Sequence, residues 1–455
     1  MKQFILSTCR GTVFLSIIIV LSCGSTRVDV EQKDVNVVLI TIDTLRADHL
    51  SCYGYERQTS PNIDMLAEQG IIFKNVIAPS SWTAPSMVSL FTSVYPINHG
   101  VIHGFVEDNK VFRQEVFARE LITLPEILQK QGYTTFGVAS NHHLSEKFGF
   151  ARGFDYFHYL ASLPAQHVNK VLYSWEKEIR EAEKFFLWIH YYDPHNPYTP
   201  AKPWVEEYLA KPLNEEVERI SRVPMKGLLK LIPIFKLYPE ALSKLIALYD
   251  SEINFVDFHI GKIFQKFDFD KNTLIIITSD HGEEFMEHDG FGHARRLYQE
   301  TIRIPLIVKL PDSSTKEVIE EQVNLIDIVP TILGILTIKP PDHIMGKSVL
   351  EKETVKKTAG YTFSELDRNF ILKAIITPEW KYIYNYQENT EQLYSSTSDL
   401  VELNDLASKR TEVCSHLKEE LFRWASNAKK YPTRKKAFHL SPKEQDKLKK
   451  LGYIN

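Results

Sequence analysis

Four apolar runs in this 455-residue chain each end in residues that bind metals or move protons. Val35–Ile42 runs into Asp43, and Thr134–Ala139 runs into Asn141, His142 and His143. Phe185–Ile189 leads to His190, Asp193 and His195, and Thr273–Thr278 leads to Asp280, His281 and Gly282. Carboxylates together with neutral imidazole suit a divalent cation. The oxygen-rich set Asp43, Asp280 and His281 suits Mg, Mn or Ca better than a thiolate set would. A hydroxyl cluster, Ser80, Ser81, Thr83 and Ser86, precedes the helix-like run Met87–Ser93. Pro85 marks a helix start, where free N–H groups face outward and favour an anion. A neighbouring metal lowers such a hydroxyl toward alkoxide. By residue type alone the four hydroxyls are equal candidates, and helix capping is the commoner explanation of such a cluster.

Those groups need a scaffold that gathers them. The runs are continuous rather than alternating, as expected for strands covered on both faces, and Ile304–Val308 is a fifth. Leu124–Gln131, ending at Gly132, and Ala241–Phe264 read as helices between them. In open parallel α/β sheets ligands bind at the carboxyl ends of the strands, so four such ends would converge on one rim.

Composition agrees with an enzyme of this kind. The chain is 44% apolar and 25% charged, enough for a large core, and Lys+Arg 54 against Asp+Glu 58 leaves a net charge of −4. No basic half is visible, so nucleic acid is not an expected partner. Lys2 and Arg10 precede the apolar run Val13–Leu21, which is short of the ~20 residues a membrane span needs. The run ends Val20-Leu21-Ser22-Cys23-Gly24, which resembles a bacterial lipoprotein cleavage box. Residues 1–22 are then a signal peptide, Cys23 is acylated, and the expected location is the cell envelope, with the membrane as a partner through the lipid anchor. Cys52 and Cys414 make no disulfide framework.

Several ordered motifs carry a resemblance. ITIDTLRADHLSCYGY, TSPNIDMLAEQGIIFKN, TAPSMVSLFTSVYPINHG, LWIHYYDPHNPY, TSDHGEEFMEHDGFGH and ETIRIPLIV resemble the sulfatase family of the alkaline phosphatase superfamily. VNLIDIVPTILGIL, EWKYIYN, EQLYSST and LKKLGYIN are similar to sulfatase C-terminal regions, so the likeness spans about residues 34–455. It implies an α/β fold: a large mixed sheet sandwiched by helices, in a catalytic domain over 34–350, with a smaller C-terminal α+β subdomain over 351–455.

The resemblance also assigns roles. Asp43, Asp280 and His281 fall on metal ligands, joined by Thr83, which stands at the nucleophile position. His143, His195 and His293 fall where family members hold substrate oxygens and protonate the leaving group, and Asn141 and His190 where they touch substrate. One divalent cation (Ca, Mg or Mn) and an anionic ester, of a glycan or a lipid headgroup, are implied.

Four departures bear on the chemistry. Thr44 replaces a metal carboxylate, Met87 replaces the signature Arg, Asn141 replaces a frequent Lys, and Thr83 is neither Cys nor Ser. Sulfatases turn that Cys or Ser into formylglycine, which a Thr cannot become. Phosphoglycerol and phosphoethanolamine transferases of the same superfamily use Thr directly. The resemblance therefore implies hydrolysis of sulfate, phosphate or phosphonate esters by Thr83. A phospho-headgroup transferase and a non-catalytic glycan-binding relative are the alternatives. His99, His103 and His288 read as structural, Tyr249 and Asp257 as packing and capping residues, and the basic stretch Lys429–Lys450 as a solvated amphipathic helix.

Overall fold

Side chains along Asn36–Ile42 (β1) point alternately to the two faces of a sheet. Val37 and Leu39 enter one apolar layer while Val38, Ile40 and Ile42 enter the other. Phe185–Tyr191 and Thr273–Ser279 divide in the same way, which is why these runs carry apolar residues on both faces rather than alternating. The helix Thr83–Thr92 covers the first face through Ala84, Met87, Val88, Leu90 and Phe91. The long helix Pro239–Phe267 covers the second. The expected sheet sandwiched by helices is therefore present.

This computed structural model describes residues 35–108, 111–200, 202–209, 219–269, 272–350, 360–368 and 370–438. The signal segment, Cys23 and residues 351–359, beside the expected domain boundary, lie outside the described residues. Among the described residues no helix is long and apolar enough to cross a membrane.

The main sheet contains β1, Ile71–Ile77 (β2), Thr134–Ala139 (β3), Tyr156–Tyr159 (β4), Phe185–Tyr191 (β5), Thr273–Ser279 (β6), Arg303–Lys309 (β7) and Glu317–Asn324 (β8). Their order is β8-β2-β7-β6-β1-β5-β3-β4. Only β7 runs against its neighbours; the remaining pairings are parallel. The sheet is mixed, as expected from the resemblance, rather than parallel throughout. The apolar-run criterion missed β2, broken by Lys74 and Asn75, and the two edge strands: β4, four residues long with His158 exposed, and β8, whose outer half alternates partly buried and exposed residues.

A second, antiparallel sheet comprises Thr362–Asp367 (β9), Ile371–Ile376 (β10), Trp380–Asn385 (β11) and Thr390–Ser395 (β12), in that order. The helix Thr411–Ser426 seals it with Cys414, Leu417 and Leu421, and Trp424 stacks on Phe363 at 4.2 Å. Gln322 of β8 donates to Thr362 Oγ1 at 2.7 Å and to the Ile376 carbonyl at 3.0 Å, joining the two sheets. The C-terminal basic stretch is not helical where it is described. Arg434–Phe438 is a strand, recruited after Pro432 by the free edge of Val111–Val116.

Candidate active site

Parallel direction brings the carboxyl ends of β1, β3, β5 and β6 to one rim, with Asp43, Asn141, His195 and the Asp280–His281 pair directly beyond them. Because β7 is reversed, the segment leading into it, which carries His293, arrives at the same rim. β2 ends there as well and feeds the turn before Thr83.

The helix begins at Thr83 itself, earlier than the apolar pattern predicted, with Trp82 as its N-cap. The four hydroxyls are no longer equivalent. Ser80 donates to the Glu365 carbonyl at 2.7 Å and Ser86 to the Ser80 carbonyl at 2.8 Å. Thr83 Oγ1 instead lies 3.3 Å from His281 Nε2 and 3.5 Å from Asn141 Nδ2. Ser81 Oγ has no hydrogen-bond partner among the described residues. The helix start holds no side-chain cap bond, so capping does not account for Thr83.

Asp43, Asp280 and His281 are fully buried, and their ligand atoms lie within 4.8 Å of one another. Among the described residues Asp43 Oδ1 and Asp280 Oδ2 find no hydrogen-bond donor. His281 Nδ1 sits 2.9 Å from the Gly282 carbonyl, which fixes that nitrogen as the N–H and leaves the lone pair on Nε2. Nε2 is 3.4 Å from Asp280 Oδ2 and 3.6 Å from Asp43 Oδ1. Two orphaned buried carboxylate oxygens facing an imidazole lone pair form a donor set that fits a hard divalent cation.

The rest of the pocket supports this group. Asn141 donates to Asp43 Oδ2 at 2.6 Å, and its Oδ1 accepts from His143 N at 2.8 Å. His190 lies inside β5, with Nδ1 3.0 Å from Thr41 Oγ1 and Nε2 3.6 Å from Asp43 Oδ2. Both residues expected to touch substrate are thus placed against Asp43. Burial opposes the Asp43 charge, but His195, His190 and His281 outweigh it and hold the carboxyl well below the usual range. Burial, then repulsion from Asp43, pushes the Asp280 carboxyl up.

His195 Nδ1 is 2.6 Å from the Asn196 carbonyl, so its Nε2 is the working nitrogen. His293 packs against both His195 and His281, with ring centroids 4.9 and 4.5 Å apart. His143 lies edge-on to Trp82 at 5.4 Å. Burial lowers the affinity of all four imidazoles for a proton.

Two residues were missed in the sequence. Glu283 is fully buried, with Oε1 2.9 Å from His293 Nδ1 and Oε2 accepting from Tyr198 OH at 3.0 Å. Its place beside Asp280–His281 was the available signal. Arg368, between β9 and β10, lies 4.6 Å over the Trp82 ring, and its charge disfavours protonation of His143 and His293. No local motif marks it. Met87, by contrast, is fully buried in the apolar layer.

Thr44 adopts φ 57, a conformation rare for a β-branched residue. Its N–H donates to Asp280 Oδ1 at 3.3 Å, while Tyr249 OH donates to its carbonyl at 2.7 Å and accepts from Arg46 N at 3.0 Å. These bonds over-determine the turn that aims Asp43 and Asp280 at each other. His99 and His288 are tied into structural hydrogen bonds, and Asp257 accepts from the N–H groups of Asn62 and Ile63. Cys52 and Cys414 are free.

The model of the sulfatase family matches residues 35–338. The chain belongs to the sulfatase family. A second family model, the C-terminal region of N-sulphoglucosamine sulphohydrolase, matches residues 286–427. A sulfatase of Formosa agariphila is 26% identical over 443 residues, covering 84% of this chain and 85% of that protein. A solved 2-O GAG sulfatase shares the fold at a TM-score of 0.72 and 19% identity, covering 86% of this chain and 92% of its own. The phosphonate monoester hydrolase of Agrobacterium radiobacter does so at a TM-score of 0.66 and 18% identity, covering 86% and 95%. Membership makes the chain a sulfatase-like ester hydrolase.

Proposed function

We propose that this sulfatase-family protein is a metal-dependent hydrolase of sulfate, phosphate or phosphonate esters, with Thr83 as direct nucleophile. The observation that carries the reading is the position of Thr83 Oγ1, 3.3 Å from His281 Nε2 at the edge of the Asp43–Asp280 pair. Asp43, Asp280, His281 and Thr83 would hold a divalent cation, which would supply Lewis-acid charge to the hydroxyl and to the ester oxygens. Thr83 Oγ1 forms its bond to sulfur or phosphorus as the bond to the leaving oxygen breaks, and its own proton goes to solvent. His293 Nε2, backed by Glu283, gives a proton to the leaving oxygen. Water then attacks the threonine ester and passes a proton to His293, while the departing Thr83 oxygen takes back a proton from solvent. His143 and His195 hold the non-leaving oxygens. Asn141 and His190 keep Asp43 aimed at the cation.

Thr83 favours phosphoryl over formylglycine chemistry, because its β-carbon carries a methyl group. A glycan ester is the substrate class favoured by the likeness to a GAG sulfatase. The N-terminal motif supports export and a lipid anchor at Cys23, which mass spectrometry of the mature N-terminus tests directly. An unmodified Cys23 in an uncleaved chain would rule that anchor out.

The deciding experiment measures hydrolysis of aryl sulfate, phosphate, phosphodiester and phosphonate with Mn, Mg or Ca, beside Thr83→Ala. Metal-dependent turnover lost in the variant supports the reading, and turnover that survives it removes Thr83 as nucleophile. One observation favours a second reading, a binding protein without turnover: Met87 leaves the nucleophile without its customary cation. Cation binding with no turnover on any ester would shift the weight there, or to transfer onto an acceptor alcohol.

A further inference from the structure

The catalytic pocket makes no use of a second concave feature. The strand Arg434–Phe438 pairs with Val111–Val116, which pairs in turn with Phe105–Asp108. Beside this ribbon is a cleft of 770 Å³, lined by the cations Arg119, Lys147, Arg152, Arg434, Lys435 and Lys436. Its carboxylates are Glu126 and Glu146. Glu126 is already paired with Arg152 at 2.9 Å, and that guanidinium also covers the Phe117 ring. The other five cations make no ion pair or side-chain hydrogen bond among the described residues, and all five are exposed. In a chain of net charge −4, so many unmatched cations around one cleft form a local field that attracts anions.

The cleft is also near the chemistry. Lys147 lies four residues beyond His143, so their Cα atoms are at most about 14 Å apart. The ribbon springs from Gly104, where an added Cβ would meet His143 Nδ1 at 2.8 Å. A polymer bound at the pocket would need only a few further sugar units to reach these cations.

We propose that this cleft binds a further stretch of the polymer whose ester Thr83 attacks, and that the polymer is a glycan carrying several anionic ester groups. The inference rests on the function proposed above and specifies its substrate as multiply charged. Shape and composition favour a glycan over an anionic bilayer. The surface is concave, and no large apolar side chain of the cleft is exposed to enter a lipid interface.

The test uses the full chain and calorimetric titration with dextran sulfate, with neutral dextran, inorganic sulfate and phosphatidylglycerol vesicles as comparisons. Two variants on separate elements, R434Q/K435Q/K436Q and R119Q/K147Q, guard against misfolding of either, which the melting temperature reports. Dextran sulfate is expected to bind the wild type with a steep salt dependence. The triple variant is expected to bind about tenfold or more weakly, with a shallower slope, because fewer counterions are released. Neutral dextran and sulfate alone are expected to show no such contrast. Wild-type affinity in both variants would overturn the proposal, as would vesicle binding that falls in the variants while dextran sulfate binding does not. Turnover of a small aryl ester should be unchanged in both. Thr83→Ala separates the two claims: a chain inert on every ester that still binds dextran sulfate through these cations sinks the catalytic reading alone.

Discussion

His281 Nε2 stands 3.3 Å from Thr83 Oγ1, with its other ring nitrogen anchored on the Gly282 carbonyl. The lone pair and the hydroxyl therefore face one point, and removing the hydroxyl removes the attacking atom while leaving the packing nearly intact. Thr83→Ala is expected to lower kcat by at least about 10³-fold and to change stability by less than about 1 kcal/mol. Thr83→Ser keeps the oxygen and should retain turnover within about tenfold. An alanine variant as active as wild type, or a serine variant as inactive as alanine, would contradict direct attack by this oxygen.

Asp280 shows a different balance between stability and binding. Burial and the neighbouring Asp43 carboxylate raise its pKa in the folded chain, so the folded state holds that proton more tightly than the unfolded state does. The cation-free protein should therefore lose stability as pH rises from about 4 toward neutrality. Asp280→Asn removes the repulsion and is expected to stabilise the cation-free chain at pH 8 by roughly 1–3 kcal/mol. The same change should abolish the rise in melting temperature produced by Mn or Ca in the wild type, worth about 2.7 kcal/mol at a hundredfold excess over Kd. Melting curves with and without chelator report both effects, and a variant that still gains from the cation would remove Asp280 as a ligand.

Part of this geometry was legible because strands covered on both faces are largely apolar, so the polar residues that follow each run mark the rim. Asp43, His195, Asp280 and His281 follow such runs. His190 follows an apolar run as well, but β5 continues to Tyr191 and keeps the imidazole inside the sheet. The edge strand β8 and the broken strand β2 escaped the same criterion, since partial exposure admits polar residues. Arg368 was invisible for another reason: its position over Trp82 depends on how the second sheet seats against the first, which no local pattern encodes. The strand Arg434–Phe438 owes its conformation to a partner edge distant in sequence.

His99 gives a stability signature away from the cation. It is fully buried behind the helix Thr83–Thr92, accepting from Val101 N at 3.1 Å through Nδ1, with Nε2 3.2 Å from the Pro85 carbonyl. Burial pushes its pKa down from 6.5 to about 3. Between those values the unfolded chain takes up a proton that the folded chain refuses, so stability falls as pH drops through that window. The slope from this one group is about 1.4 kcal/mol per pH unit. His99→Asn keeps an acceptor near Nδ1 but cannot titrate. It should be less stable at pH 7 by about 1–3 kcal/mol and show a flatter acid limb in urea unfolding between pH 4 and 6.5. An unchanged limb would assign the acid sensitivity elsewhere.

Glu283 accepts from Tyr198 OH through Oε2 at 3.0 Å and lies 2.9 Å from His293 Nδ1 through Oε1, so one carboxyl group fixes the imidazole's orientation. Its contribution is needed only when the departing oxygen requires a proton. Glu283→Gln preserves the shape and removes the charge. On a sugar or alkyl ester, whose alkoxide is a poor leaving group, kcat should fall about 10²-fold. On a 4-nitrophenyl ester, which leaves without a proton, the loss should be severalfold at most. His293→Asn should reproduce the same contrast, and Tyr198→Phe a weaker version of it. KM should move little in each, because none of the three groups is assigned to ground-state binding. A loss of equal size on both esters would mark Glu283 as a structural residue and leave protonation of the leaving oxygen to His195.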